Sequence, residues 1–385
     1  MNRTLSALIR RRRVHSRGVP VGRRFLFAEH RRAALTVLGV AAALLLVLIL
    51  EGIFAGAIDQ VTHYIRTSPA QVFISQDGVK TMHMSASALP PEAAGRVRSI
   101  AGVDWIAPIG FASGSVAGPQ GRQLSYLIGY DTDTGRGGPT ELVTGRTPGA
   151  GEAVVDEQAA ESLGIGVGDA VTVLGARLEV VGLSSGGSSI TNTTVFVSEP
   201  EFARIHHVLP SYLLVGTESS ADASRVADRI RQAVPGITVQ TREEFTASEA
   251  RIVTDMSADL LRLMSTIGLL IALAVIALGL MTATLNRIRE YAVLKALGAT
   301  TGRLAGSVTV QVLWTVALSS LLATALARLL AWTLPLVAPS VTVSITPTAL
   351  IQTTIGALAV GLLAALWPLR RIATLDAATA FRETR

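Results

Sequence analysis

Four long apolar stretches constrain this 385-residue chain more than any motif does. Residues 33–54 hold one charge, Glu51, and residues 308–334 hold only Arg328; residues 263–285 and 350–369 hold none. Crossing a bilayer takes about 20 predominantly apolar residues, whereas buried helices of soluble domains are usually shorter and amphipathic. The pattern therefore predicts four transmembrane helices. Charged residues make up 16% of the chain, against roughly 25% in soluble domains, so an ordinary soluble or disordered protein is excluded. Ala55-Gly56-Ala57 resembles a signal-peptidase site. The basic region and apolar stretch before it are longer than a signal peptide's, so the first helix is expected to stay.

A net charge of +6 would raise nucleic-acid binding in a soluble protein. Its distribution gives another reading. Residues 1–32 hold ten arginines and one acid; residues 286–303 hold four basic residues and one acid; residues 370–385 hold four and two. Residues 55–262 hold 15 basic and 23 acidic residues. The positive-inside rule puts the three basic stretches in the cytoplasm and residues 55–262 outside. The uncharged loop 335–349 fits outside as well. Four spans then leave both termini in the cytoplasm, with no nucleic-acid surface implied. The expected order is a basic segment 1–32, spans 33–54 and 263–285 flanking an extracytoplasmic domain 55–262, a loop 286–307, spans 308–334 and 350–369, and a tail 370–385. Leu5, Leu8 and Ile9 make residues 4–13 a candidate interfacial helix.

The external segment reads as mixed α/β. Ala223, Val226, Ala227, Ile230, Ala233 and Val234 recur at helical spacing before Pro235-Gly236, and a strand follows at residues 237–240. A helix through residues 96–100, then Gly102, then an extended run 103–109 repeats that order. Two related halves, or a common punctuation met twice, both account for it. Residues 153–155, 170–174, 178–181 and 194–197 read as short strands, and Gly164 to Asp169 as turns without dinucleotide-binding spacing. Residues 243–262 continue as helix into the second span, and residues 53–65 extend the first. Such helices are stiff; they serve as rigid supports or as carriers of movement.

Catalytic chemistry is sparse. With Lys80 and Lys295 the only lysines, neither in a Gly-Lys-Ser/Thr setting, the phosphate-cradling ATPase loop is absent. There is no cysteine. His206-His207 lacks the i, i+4 spacing of a helical metal pair, and Gly186-Gly187-Ser188-Ser189 lacks a nucleophile elbow. Glu51 and Arg328 are the two charges inside spans; they snorkel to an interface or pair with one another.

The loop Arg287-Ile288-Arg289-Glu290-Tyr291-Ala292-Val293-Leu294-Lys295-Ala296-Leu297-Gly298-Ala299 carries more information. It should be helical and end at Gly298. Arg287 and Glu290 can pair at i, i+3, and apolar groups on several sides suggest contact with both membrane and another protein. From Arg289 to Ala299 it closely resembles the loop helix of FtsX-like, MacB-type permeases of ABC transporters. Gly145-Arg146-Thr147-Pro148 through Gly151-Glu152-Ala153-Val154-Val155, the run 163–169, the tail 368–382 and the order of spans extend that resemblance over nearly the whole chain; Ala377 stands where a proline is common.

The resemblance implies a two-chain permease core, a homodimer or a paired permease, bound to two ATPase subunits in the cell (inner) membrane. No cofactor is bound directly; ATP and Mg act through the ATPase. Arg287, Arg289, Glu290, Tyr291, Lys295, Gly298 and Ala299 would receive the ATPase stroke, and an extracytoplasmic adaptor is a further partner. The output is export or release of an extracytoplasmic substrate, or alternatively activation of a cell-wall enzyme or signalling partner without transport.

Overall fold

Backbone amides that enter hydrocarbon need partners inside their own segment, and the long apolar runs meet that need as helices. The computed structural model describes residues 30–374 except 84, 189–191, 208–209, 287, 298 and 339–340. In chain order these residues form α1 (His30–Thr67), β1 (Val72–Gln76), α2 (Ala93–Arg98), β2 (Val103–Gly118), β3 (Gly121–Tyr130), β4 (Glu141–Gly145), β5 (Glu152–Asp156), α3 (Glu157–Leu163), β6 (Ala170–Val173), β7 (Ala176–Ser185), β8 (Asn192–Ser198), α4 (Glu199–His206), β9 (Tyr212–Thr217), α5 (Ala223–Ala233), β10 (Ile237–Thr241), α6 (Arg242–Asn286), α7 (Ile288–Ala296), α8 (Thr301–Thr333) and α9 (Pro347–Ala373). Among the described residues, four helical segments are long and apolar enough to cross a membrane: Ala33–Thr67, Arg262–Asn286, Leu304–Leu336 and Pro347–Arg371. The shortest has 25 residues, about 38 Å of helix at 1.5 Å per residue, against a hydrocarbon core of about 30 Å. Residues 4–13 lie outside the described residues, and Ala55-Gly56-Ala57 lies inside α1.

The chain divides into two compact units. The described residues of 1–47, 265–326 and 350–385 form the helical one. There α1 and α6 pack through small residues, as helices in lipid do when packing rather than hydrophobic expulsion holds them. A Cβ on Gly268 would overlap Val47, one on Gly279 would lie 2.7 Å from Thr36 Oγ1, and Gly39 faces Val275. Ser319 Oγ on α8 donates to the Val37 carbonyl at 3.0 Å. Leu270, Leu278, Leu321, Ile355 and Trp367 are exposed apolar side chains, the surface a lipid-facing bundle presents.

Leu48–Met264 and Ala327–Ala349 form the second unit. Its sheet runs β10-β1-β9-β2-β3-β8-β5-β7-β4, with β6 pairing β2 and β7. The sixteen-residue β2 belongs to two lobes. Its first half pairs with β9 and its second with β3, both antiparallel. In the first lobe, β1-α2-β2 and β9-α5-β10 form a split β-α-β arrangement with all neighbours antiparallel. The repeated helix-Gly-strand order thus belongs to two interleaved halves of one lobe. Gly102 and Gly236, at φ 92° and 80°, turn each helix back toward its strand, a conformation that carries no Cβ penalty in glycine. Val72, Ile74, Val97, Leu213, Val226 and Ile230 fill the core beneath. The second lobe, inserted between the halves, buries the Val155 face of its strands under α3 and α4, with Leu127, Val155, Leu163, Val180, Val195 and Phe202 in its core.

Two features close this unit. Phe202 of α4 fills a slot made by Gly110 and Gly129, which face each other across β2 and β3; a Cβ on either would overlap its ring. Beside α1, the segment 341–345 runs along a small-residue face: Ser344 N–H donates to the Gly52 carbonyl at 2.9 Å, Gln60 Nε2 donates to Thr342 Oγ1 at 2.9 Å, and a Cβ on Gly56 would overlap the Thr342 carbonyl. A pair between Glu51 and Arg328, one of the two readings of these charges, is not among the ion pairs of the described residues. Arg328 is exposed, one residue and so about 100° round the helix from the fully buried Ala327, and Glu51, half-buried, has other contacts.

Truncating Phe202 to alanine removes a fully buried ring from a slot that glycines cannot refill. Phe202→Ala is expected to cost about 3–5 kcal/mol, read as a lowered unfolding midpoint of the solubilised chain in urea; an unchanged midpoint contradicts the packing described.

Candidate functional site

The short helix α7 lies between α6 and α8 with one residue before it and four after. Its composition explains its two sides. Tyr291 and Ala292 are buried, while Arg289, Glu290 and the apolar Val293 and Leu297 are exposed. At the end of the helix Leu297 N–H donates to the Val293 carbonyl at 3.0 Å and Ala299 N–H to the Leu294 carbonyl, five residues back, at 2.9 Å. Lys295 turns away from the Arg289 and Glu290 surface, its Nζ donating to the Ala373 carbonyl at the end of α9 at 3.0 Å. That places a cation on the negative end of a helix. Of the seven residues singled out on this loop, Arg287 and Gly298 lie outside the described residues; Arg289 and Glu290 share the open surface; Tyr291 packs inward; Lys295 holds the end of α9 and Ala299 bonds the end of α7.

A second polar site lies where α1 and α6 enter the sheet. Ile65 and Phe245 join Phe73, Phe111, Tyr126, Tyr130 and Tyr212 in one buried aromatic cluster, with Phe245 stacked on Phe73 at 5.0 Å. One turn past Phe245, Glu249 is fully buried. Its carboxylate accepts the backbone N–H of Met82 and, at 3.2 Å, of His83, and lies 2.9 Å from His83 Nδ1. Burial first, and then the Glu249 charge, push the phenols of Tyr126 and Tyr212 up, so both remain O–H groups at neutral pH. A recess of ≈ 40 Å³ adjoins this cluster, lined in part by His63, His83, Tyr126, Ser188 and Asn192. It admits a few water molecules and is far below the roughly 300 Å³ of a small-molecule site.

Sequence reasoning missed Glu249 and His83. They stand 166 residues apart, and no local spacing marks such a pair. The histidines it did single out are a helix end: His206 meets Phe202 edge-on at 5.6 Å, and His207 is the left-handed cap of α4. Ser188 Oγ donates to the Asp156 carboxylate, which also takes the Gly187 amide at 2.7 Å and caps α3 through Gln158. The Gly-Gly-Ser loop is thus tied down, with its described serine engaged.

The run from Gly145 to Val155 owes its form to one ion pair. Arg146 places both guanidinium arms on Glu152, at 2.5 and 2.6 Å, and Gly149 N–H adds a third bond to the same carboxylate at 2.8 Å. The bonds from Arg146 and Gly149 hold the Glu152 carboxyl down at about 2. This fork fixes the turn that leads from β4 to β5.

Long apolar helices joined to a mixed α/β domain define a membrane protein with a large domain outside its spans. Family models narrow the class. One described as the MacB-like periplasmic core domain matches residues 33–233, and one described as the FtsX-like permease C-terminal matches residues 262–377. The chain belongs to the FtsX-like, MacB-type family of ABC-transporter permeases. Among solved structures, the periplasmic region of MacB from Actinobacillus actinomycetemcomitans is similar at 12% identity over 48% of this chain and 94% of that one, with a TM-score of 0.37. The extracellular domain of the noncanonic ABC-type transporter YknZ from Gram-positive bacteria is similar at 15% identity over 44% and 99%, with a TM-score of 0.36. No curated protein sequence matches. The assignment rests on the two family matches.

The fork has a pH signature. A carboxyl held below its ordinary 4.5 adds stability that is present above that value and is lost as pH falls toward about 2. Because Arg146 is well exposed, screening keeps the effect small. The stability difference between the native chain and Glu152→Gln should therefore shrink between pH 4.5 and about 2, measured by unfolding at several pH values; a difference that does not vary with pH contradicts the ion pair.

Proposed function

We propose that this chain is the permease subunit of an ABC transporter and couples ATP hydrolysis by a separate ATPase to movement of its extracytoplasmic domain. The output is export or release of a substrate already outside the cytoplasm. The observation that carries this reading is the continuity of α6, which runs unbroken from Arg242 beside the sheet to Asn286, two residues before α7 begins. Support also comes from the exposed Arg289 and Glu290 on α7, from the absence of a phosphate-binding loop in the sequence, and from the three basic stretches, which favour cytoplasmic termini and a cytoplasmic α7. In this arrangement the extracytoplasmic domain is inserted between the first and second of four spans, and ATP and Mg belong to the ATPase. A second permease copy and an extracytoplasmic adaptor complete the proposed assembly.

The test is a complex of the full chain with the ABC ATPase that co-purifies with it. Glu290→Ala and Gly298→Arg should leave ATP hydrolysis running while abolishing its coupling to substrate release. Failure of any ATPase to associate overturns the reading, and unchanged coupling removes both residues from it.

A further inference from the structure

The fully buried Glu249 has no part in the reading above, yet it is an expensive group to place on α6. Removing a carboxylate from water costs several kcal/mol, and an apolar side chain often holds a helix as well. Phe245, one turn earlier, is already such an anchor. Apolar packing is non-directional, and the other directional bonds of the first turns of α6, from Arg242 to the Ser68 carbonyl at 3.1 Å, from Arg231 to Glu244 at 2.7 Å and from Gln240 to Ser248 at 2.9 Å, tie it to the first lobe. The Glu249 carboxylate is directional. Its three donors all come from Met82 and His83, which fixes both the height and the rotation of α6 against that segment.

Residues 81–83 are in turn fastened to both lobes. Tyr212 Oη on β9 donates to the Thr81 carbonyl at 3.1 Å. The His83 ring meets Tyr126 of β3 edge-on at 4.8 Å, and Tyr126 Oη accepts from Asn192 Nδ2 at the start of β8 at 3.0 Å. Among the described residues, the ion-pair partner of Glu249 is His83. Tyr126 and Tyr212 are the other titratable groups in its field. The contacts thus run without a gap from α6 to β9 in one lobe and to β3 and β8 in the other.

We propose that Glu249 is a positioning residue: the clamp through which α6 holds and moves both lobes of the extracytoplasmic domain as one body. The proposal rests on the coupling function above, and it gives that function its point of attachment. His83 is the second half of the clamp, and Phe245 supplies packing without register.

The chain has no cysteine, so spin labels can be placed at the exposed Arg251→Cys on α6 and Ser162→Cys on α3 of the full chain in lipid nanodiscs. The clamp predicts one narrow distance distribution for this pair without nucleotide, and its loss in Glu249→Ala. Glu249→Gln keeps an oxygen for the two amides and should restore the narrow distribution. With the ATPase and ATP present, the distance should stay fixed in the native chain and shift in Glu249→Ala. A narrow, nucleotide-independent distribution in Glu249→Ala overturns the proposal and leaves Phe245 as sufficient anchor. Should Glu249→Ala fail to fold, Glu249→Met, which fills the space without an acceptor for the two amides, decides in the same way. The coupling reading fails separately: the nucleotide-free measurement judges the clamp even if no ATPase associates.

Discussion

Hydrocarbon offers no partner to a backbone amide, and that single deficit shapes the whole chain. Each apolar run must satisfy its own hydrogen bonds as a helix. Two of the resulting helices do not stop where the apolar residues stop. The first continues to Thr67 and α6 starts at Arg242, so the connections to the sheet domain are helices rather than loops. A continuous helix transmits displacement because bending it strains a whole ladder of bonds. The stiffness that makes coupling feasible is a by-product of the requirement that lets the chain enter lipid.

The domain is built to receive those helices. Its aromatic cluster takes in Ile65 from α1 and Phe245 from α6, while the shared strand β2 binds the two lobes to one another. Apolar burial supplies the adhesion, and the carboxylate of Glu249 supplies direction. Neither would suffice alone: grease without register lets a helix slip, and a buried charge without surrounding packing would be hydrated and weak. Glycine contributes by absence. Gly110 and Gly129 leave the slot for Phe202, and Gly52 and Gly56 leave room for the backbone of residues 342–344 against α1.

Much of this fold is legible in the sequence, and the reasons for the rest are physical. Apolar length marked the spanning helices, and uninterrupted helical spacing marked their extensions. The runs at 153–155, 178–181 and 194–197 lie within β5, β7 and β8, where β-branched residues sit between turn signals. By contrast β9, Tyr212–Thr217, is buried at every position, so it shows no alternation to read, and β2 runs through to Gly118 past two glycines and a proline that look like breaks. On α7 the segment was recognisable from its sequence, but the division of labour was not: Lys295 looks like an exposed cation and instead holds the end of α9. For Glu51 and Arg328 the sequence left two readings open, snorkelling or a pair, because it does not show which face of each helix a charge takes; Arg328 lies on an exposed face. Glu249 was invisible because its partners come from a segment far away in the chain, and only the closed sheet assembles them.

The central claim, that α6 carries movement as an unbroken helix, is tested most directly by breaking it. Thr254 is an exposed residue in the middle of the extracytoplasmic stretch of α6; proline there removes an amide donor and clashes with the preceding turn. Hydrogen exchange of the extracytoplasmic domain should be compared between nucleotide-free and ATP-bound complexes. The account predicts a nucleotide-dependent change in the native chain that disappears in Thr254→Pro while ATP hydrolysis continues. A change that survives the proline would contradict it.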